Sequence, residues 1–227
     1  AEVLTNELKT FKNFTSKNID KRTNVLLHIN YYEQFEGDIR YLHKVKEDAK
    51  YLTSEEKLKF YFLLGEGDEN LDLNQFKLAN ITDPFTAYYL FKLHLKSNRP
   101  QAKYIEKAVS LAPNNVDFLF ELANFYSSTD LVKAEFYFKQ VLEKNHLHAK
   151  TLVNLGYILL TQNRLNESEI LLNKAVDNFP DYQLAKENLI ALYLQKGNND
   201  KVIKILDLLI KKYPNEERYK LLNNQLR

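Results

Sequence analysis

The stretch TLVNLGYILLTQNRLNESEILLNKAVDNFP, residues 151–180, closes on Pro180. The stretch ENLIALYLQKGNNDKVIKILDLLIKKYP, residues 187–214, closes on Pro214. Within both stretches apolar residues recur at steps of three and four, the spacing of helices with one buried face. The distance from one closing proline to the next is a period of about 34 residues that holds two such helices, which is typical of a helical-hairpin repeat.

Three adjacent units, 116–148, 149–182 and 183–216, follow this pattern. The unit 116–148 is one residue shorter, in the SSTD turn at 127–130. Small residues at fixed places let the two helices of a hairpin approach closely, and a closing proline ends the second helix. The residues that carry the repeat are Leu122, Ala123, Ala134, Leu155, Gly156 and Ala175, with Pro113, Pro180 and Pro214.

On these residues the segment 53–216 resembles the tetratricopeptide repeat family. The resemblance implies an all-α, right-handed superhelical solenoid of about five antiparallel helix hairpins. Its best units are 116–148, 149–182 and 183–216, and residues 53–115 form a divergent part. Tyr89 and Ile190 depart from the family pattern, because they stand where a small residue is usual.

The segment 1–52 differs from the repeats and predicts an N-terminal helical extension. Its apolar residues between Val25 and Ala49 form one long stripe, on a single helix or on two helices broken near Gly37. A stripe with no counterpart in the repeats leaves homodimerisation through these helices open. The segment 1–24 is polar, which leaves partial disorder there open.

Two helix starts and one helix end are marked by their residues. Thr53 with Glu56 has the spacing of a capping box, and Asp83 before Pro84 is a cap followed by proline in the first helical position. The tail EERYKLLNNQLR predicts a C-terminal capping helix, over residues 217–227, that covers the last hairpin.

Composition narrows the classes of partner. The formal charge is +2, from 32 basic and 30 acidic side chains, so neither a nucleic-acid footprint nor a polybasic membrane anchor is indicated. Cysteine is absent, which removes disulfides and thiolate metal sites, and no apolar run approaches the ~20 residues of a membrane span.

The compartment is left open by the sequence. The chain begins with Ala1 and contains no methionine, so we interpret it as a processed or excised segment. It is then cytoplasmic, or exported if a signal or lipid anchor was removed upstream of Ala1.

No catalytic or cofactor-binding motif is present, which predicts a non-enzymatic protein without a cofactor. His146 and His148 form an HxH pair that we interpret as a turn between repeats rather than a metal site. Asp68, Asn70 and Asp72 match the first ligand places of a calcium loop. The loop lacks its glycine and its closing glutamate, so an acidic turn is the favoured interpretation.

In the tetratricopeptide family the first helix of each hairpin lines the concave face, where partners commonly lie as extended peptides. Carried over position by position, the lining residues are Asp117, Phe120, Glu121, Asn124, Lys150, Val153, Asn154, Tyr157, Leu184, Glu187, Asn188 and Ala191. Asn154 and Asn188, which stand at equivalent places of adjacent units, would stack as a ladder for a peptide backbone, or would be ordinary polar residues on an exposed face.

Family members that hold chaperone tails clamp the terminal carboxylate with two asparagines and several cations. Asn124 and Asn154 match the asparagines, but Phe120, Leu184 and Asn188 fill the cation places. Without those cations most of the charge-assisted bonding is lost, so the sequence argues against such a clamp.

The resemblance therefore favours a protein–protein interaction scaffold that binds a peptide or helix of another protein in its groove. The alternative is a regulatory or substrate-recruiting domain of a larger enzyme or multi-domain polypeptide. RNA binding is disfavoured, because Asp117, Glu121 and Glu187 would place negative charge on the inner face.

Overall fold

The computed structural model describes residues 20–35, 39–64, 73–98 and 100–227. Over these residues the chain forms α-helices, three short 3-10 segments and no strand. The chain divides into two compact units, a first unit that ends at Leu111 and a second unit, Ala112–Arg227. None of the described helices combines the length and the apolarity needed to cross a bilayer. The all-α fold predicted from the sequence is confirmed.

The first unit contains α1 (Lys21–Phe35), α2 (Arg40–Lys44), a 3-10 segment (Lys46–Tyr51), α3 (Ser54–Leu64), 3-10 segments Leu73–Gln75 and Leu78–Asn80, α4 (Pro84–Lys96) and α5 (Ala102–Leu111). The N-terminal stripe is therefore divided between two helices and a 3-10 segment. The predicted break near Gly37, residues 1–19 of the segment 1–24 that was left open to partial disorder, and the calcium-like loop at 65–72 lie outside the described residues. The rest of that segment, from Lys21 on, is helical in α1.

The N-terminal extension shares a core with α3. Val25 and Ile29 of α1 belong to the same buried cluster as Leu42, Phe60 and Leu64. Because these stripe residues already have apolar partners within the first unit, the argument for homodimerisation through an unpartnered stripe loses its basis.

The predicted helix starts at Thr53 and Asp83 are confirmed. Glu56 accepts a hydrogen bond from the backbone N–H of Thr53 (2.9 Å) and returns its own N–H to the Thr53 hydroxyl (3.3 Å), which is a capping box. Asp83 accepts from the backbone N–H of Thr86 at 2.6 Å, and Pro84 opens α4.

The second unit contains α6 (Val116–Tyr126), α7 (Leu131–Lys144), α8 (Ala149–Thr161), α9 (Leu165–Asn178), α10 (Gln183–Gln195), α11 (Asn199–Lys212) and α12 (Glu217–Leu226). Together with α4–α5, the described parts of the chain hold four hairpins and not about five. The difference arises because α3 packs on the N-terminal helices, which contribute the partners of Phe60 and Leu64.

The C-terminal helix α12 caps the last hairpin, as predicted. Tyr219 lies in the same buried cluster as Val202 and Leu206 of α11. Asp207 of α11 accepts hydrogen bonds from Asn223 (3.0 Å) and Arg227 (2.9 and 3.0 Å). Polar side chains on α12 thus end the apolar core, as the last element of a solenoid requires.

A close helix contact is made at Gly156 in α8. A Cβ atom placed on Gly156 would lie 2.8 Å from the Cδ2 and Cγ atoms of Leu172 in α9, and Leu172 is fully buried. The hydroxyl of Ser168, also fully buried, donates to the Gly156 carbonyl at 2.7 Å. The glycine that marks the repeat therefore lets α8 and α9 pack at a distance that no other residue allows without rearrangement.

We predict that Gly156→Val lowers the free energy of unfolding by about 1–3 kcal/mol, because the added methyl groups overpack against Leu172. The matched control is Ala191→Val on the exposed side of α10, which carries only the helix-propensity cost of about 0.5 kcal/mol. Urea unfolding followed by circular dichroism measures both. Equal losses in the two variants would show that the contact is not tight.

Ion pairs join successive hairpins at equivalent places. Glu135 of α7 accepts from Arg164 at 2.6 Å, and Glu169, at the equivalent place of α9, accepts from Lys196 and from Lys201 at 3.0 Å. Tyr193 donates to Glu169 as well, at 2.9 Å. Hydrogen bonds from Lys196, then Lys201 and Tyr193, lower the pKa of Glu169 to about 2, although burial acts in the opposite direction.

A carboxylate whose pKa is lower in the folded than in the unfolded state stabilises the fold above its unfolded pKa, and this stabilisation is lost as the pH falls. We therefore expect Glu169→Gln to cost about 1 kcal/mol at neutral pH. The cost should shrink as the pH falls from about 5 towards 2. Thermal unfolding of both proteins across this range measures it. A pH-independent cost of Glu169→Gln would contradict the assignment.

Candidate functional site

The first helices of the three hairpins in the second unit present equivalent residues. Each begins directly after its N-cap, which is Asn115 for α6, His148 for α8 and Tyr182 for α10. Counted from the N-cap, the twelve predicted residues fall into four rows of equivalent positions. The rows are Asp117, Lys150 and Leu184; Phe120, Val153 and Glu187; Glu121, Asn154 and Asn188; and Asn124, Tyr157 and Ala191.

Five of these twelve residues line one groove of about 460 Å³. We name it the amide groove. Its lining residues are Asn124, Ser127, Leu131, Asn154, Tyr157, Ile158, Thr161, Leu184 and Asn188. No charged side chain belongs to this set, so the groove is neutral, with three amide groups between apolar walls.

Two of the asparagines hold each other in place. The side-chain amide of Asn154 donates to the Oδ1 atom of Asn124 at 2.9 Å. Asn188 lines the same groove, and no hydrogen bond joins it to Asn154 among the described residues. The Asn154–Asn124 bond was not predicted, and the proposed ladder of Asn154 and Asn188 stays a prediction. The observed pair links α8 to the preceding hairpin rather than to the following one.

The rest of the amide groove combines exposed apolar surface with hydroxyl groups. Tyr157 is 53% exposed and Leu184 is 42% exposed, although both are large hydrophobic residues. The hydroxyls of Ser127 and Thr161 donate to the carbonyls of their own helices, at 2.9 and 2.8 Å. Their oxygen lone pairs remain as acceptors.

Val153 does not offer its side chain to a partner. It is fully buried, in one cluster with Leu152, Ala175 and Ala185. The equivalent positions in the neighbouring hairpins are Phe120 and Glu187, which are only half-buried. The assignment of Val153 to the binding face is therefore corrected. Phe120, Val153 and Glu187 lie at the edge of the predicted face, where the packing of the next hairpin determines how much of each side chain is exposed.

Glu187 is engaged by the C-terminal helix. Its carboxylate accepts hydrogen bonds from Arg218 (2.8 Å), from Gln183 (2.9 Å) and from the hydroxyl of Tyr219. Burial and the bond to Glu187 raise the pKa of Tyr219. The negative charge predicted at Glu187 is thus matched by Arg218 of the capping helix.

His148, the N-cap of α8, contacts Phe120 of α6. Its Nδ1 atom accepts from the backbone N–H of Thr151 at 3.3 Å, and its ring contacts Phe120 with centroids 4.9 Å apart. Burial lowers the pKa of His148, Asp117 opposes the shift and Lys150 adds to it. A neutral imidazole suits this role, because only the neutral ring has an acceptor nitrogen. His148 therefore caps α8, which agrees with the interpretation of the HxH pair as a turn.

The remaining predicted residues, Asp117, Lys150 and Ala191, are exposed, and Glu121 is half-buried. Four groove residues were not predicted: Ser127, Leu131, Ile158 and Thr161. They lie at or beyond the C-terminal ends of α6 and α8 and at the start of α7. A count of positions in the first helices alone does not reach them. No group of three or more His, Asp or Glu side chains that could hold a metal ion occurs within the described ranges.

Comparison with known proteins finds similar repeats in one protein family. Two models of the tetratricopeptide repeat match the chain, at residues 149–182 and 171–226. The human protein O-mannosyl-transferase TMTC3 (Homo sapiens) is 28% identical over 134 residues. The match covers 56% of this chain, and the chain spans only 15% of the length of that relative.

Solved structures share the fold at low sequence identity. YrrB, described as a tetratricopeptide repeat protein with an unusual peptide-binding site, is 18% identical with a TM-score of 0.57, over 87% of this chain and 97% of that one. A tetratricopeptide repeat protein from Parabacteroides merdae is 17% identical with a TM-score of 0.60, over 82% and 72%. Residues 149–226 thus match the tetratricopeptide repeat, and the chain shares the fold of solved tetratricopeptide repeat proteins.

Proposed function

We propose that the amide groove binds an extended segment of a partner protein, and that the chain acts as a non-catalytic interaction scaffold. The tetratricopeptide fold is in general that of a protein-interaction scaffold. The observation that carries the finer proposal is the neutral groove, which holds Asn124, Asn154 and Asn188 beside exposed Tyr157 and Leu184.

The asparagine pair is suited to a peptide backbone. Since Asn154 donates to Oδ1 of Asn124, its own Oδ1 and the amide nitrogen of Asn124 remain for a ligand. These two groups supply one acceptor and one donor, the complement of the N–H and C=O of a peptide unit. Asn188 adds a further amide, so the groove can bind backbone groups whatever the ligand sequence.

The apolar residues of the groove supply an anchor. Leu131, Tyr157 and Leu184 each leave more than a third of their surface exposed within or beside a space of about 460 Å³. Burial of such surface by an apolar ligand side chain is favourable, and tyrosine can in addition keep a hydrogen bond through its hydroxyl. We therefore expect the bound segment to carry an uncharged aliphatic or aromatic residue.

The groove chemistry argues against capture of a free chain terminus. No lysine or arginine belongs to its lining residues. A terminal carboxylate would be desolvated there without a charge-assisted bond. An internal segment is therefore the better ligand. The name of YrrB, which refers to peptide binding by a protein of this fold, supports a peptide as the ligand class.

Peptide ligands can be selected on the wild-type chain from a library of random peptides displayed as internal segments. We predict that the triple variant Asn154→Ala/Tyr157→Ala/Asn188→Ala binds these peptides about ten-fold more weakly or worse, because it removes backbone hydrogen bonds and an aromatic anchor together. Fluorescence anisotropy of a labelled peptide measures the Kd. Amidation of the peptide C-terminus should leave it unchanged.

The control variant is Ile170→Ala/Asn199→Ala/Leu208→Ala, which changes exposed residues of similar type on α9 and α11. It should bind the selected peptides as the wild type does, at an equal melting temperature. Equal binding by both triple variants would refute the groove assignment, and so would dependence of the Kd on a free carboxylate.

A second candidate follows from the human relative. Its name describes an O-mannosyl-transferase, and it shares 28% identity with this chain over 134 residues. Under this alternative the repeats are the recruiting part of a larger enzyme. The reading frame on both sides of Ala1 and Arg227 decides the matter: a catalytic domain in the same frame supports the alternative, and stop codons on both sides exclude it.

A further inference from the structure

A second concave feature lies in the first unit. It is a pocket of about 370 Å³ between α1, the start of α3 and the start of α4. We name it the aromatic pocket, and its lining residues are Glu33, Glu55, Glu56, Lys59, Asp83, Phe85, Thr86 and Tyr89. Its chemistry differs from that of the amide groove, because ionised side chains and two aromatic rings replace the neutral amides.

The repeat register places this pocket on the ligand-facing side of its hairpin. Asp83 is the N-cap of α4 as His148 is the N-cap of α8. Counted from these caps, Tyr89 is equivalent to Asn154, and Phe91 takes the place of Gly156. The sequence alignment that put Tyr89 at the small-residue position was therefore wrong, since the start of α4 sets a different register.

Aromatic rings form one wall of the aromatic pocket. Tyr89 stacks on Phe62 behind it, with ring centroids 4.6 Å apart, which fixes the orientation of its ring. Phe85 lies one turn earlier on α4, 6.3 Å from Tyr89, and is 47% exposed. Two ring faces one helical turn apart make a surface on which a flat cation can lie.

The aromatic pocket has more acidic than basic side chains around it. Lys59 pairs with Glu33 at 2.7 Å, and Arg22 pairs with Glu56 at 2.5 Å. Within the described part of the chain, no basic side chain pairs with Glu55 or Asp83. Both bonds from Thr86 to Asp83 end on Oδ2, so that among the described residues Oδ1 has no donor.

Burial raises the pKa of the Tyr89 hydroxyl to about 12, and the carboxylates of Glu33 and Asp83 add to the shift. These two carboxylates repel a phenolate and attract a cation, whereas burial disfavours either charged group. The attraction for a cation therefore comes from the carboxylates and not from the burial.

We infer that the aromatic pocket binds the side chain of an arginine in a partner protein. The guanidinium group would stack on Phe85 and Tyr89 and donate to Glu55 and to Oδ1 of Asp83. Arginine suits the pocket better than lysine, since its planar fork stacks on rings and binds carboxylates in a directed manner, whereas an ammonium is a compact, strongly hydrated charge. The partner segment at this place is therefore basic.

The test uses the ¹⁵N-labelled chain of residues 1–227 and three capped peptides, acetyl-Gly-Arg-Gly-amide and its Lys and Gln counterparts, at physiological ionic strength. The arginine peptide should shift the backbone amides of Glu55, Phe85, Thr86 and Tyr89 saturably, with a Kd in the millimolar range. The lysine peptide should bind more weakly, and the glutamine peptide should produce no saturable shift.

Tyr89→Leu and Glu55→Gln should each weaken arginine binding by about five-fold, the effect of losing one cation–π contact or one charge-assisted bond. Tyr89→Phe keeps the ring and should retain binding, which separates loss of the contact from loss of the fold. Tyr157→Leu, in the amide groove, should leave it unchanged.

Three outcomes would overturn the inference: equal shifts with the arginine and glutamine peptides, shifts that do not saturate, or undiminished binding in both Tyr89→Leu and Glu55→Gln. Failure here leaves the amide groove untouched, because the selected-peptide assay reports on Tyr157 and Asn154 and not on this pocket.

Discussion

The contact between α8 and α9 at Gly156 is the constraint on which the second unit depends. A Cβ atom at Gly156 would lie 2.8 Å from two atoms of Leu172, and the buried Ser168 hydroxyl bonds to the Gly156 carbonyl. With α9 held this close behind α8, the opposite side of α8 is left to face the groove. The residues one or two positions from Gly156 along the helix, Asn154 and Tyr157, then lie on the groove side.

Binding surfaces in this chain follow from which residues stand at equivalent places of the first helices. In the second unit the sixth place after the N-cap holds Asn154 and Asn188, and the result is a neutral groove, for which we propose a peptide backbone as the ligand. In the first unit the same place holds Tyr89, beside Glu55 and Asp83, and the result is an acidic, aromatic pocket, which we infer to bind a cation. The same helical hairpin can thus carry a neutral groove or an acidic pocket, because the residues that pack its two helices together are not the residues that line the groove or the pocket.

Much of the fold could be predicted from local signals. Gly156 and Ala175 marked the hairpin, and Thr53 and Asp83 marked helix starts, because helix caps and close packing require particular residues. The burial of Val153, the Asn124–Asn154 bond and the engagement of Glu187 by Arg218 could not be predicted. Each depends on how one helix is rotated against another, which a positional alignment does not contain. The repeat position of Tyr89 was misassigned as well, since α4 begins directly after its N-cap Asp83 and this start sets the positions of its residues.

Native-state hydrogen exchange of the full chain tests most directly the claim that the Gly156 contact holds the second unit together. The account predicts the slowest exchange in that unit at the amides of Leu155, Leu159 and Leu172, on the facing sides of α8 and α9. The amides of α12, which rest on the last hairpin alone, should exchange faster. If the amides of Leu155 and Leu172 exchange as fast as those of α12, the contact does not hold the unit together, and the account is wrong.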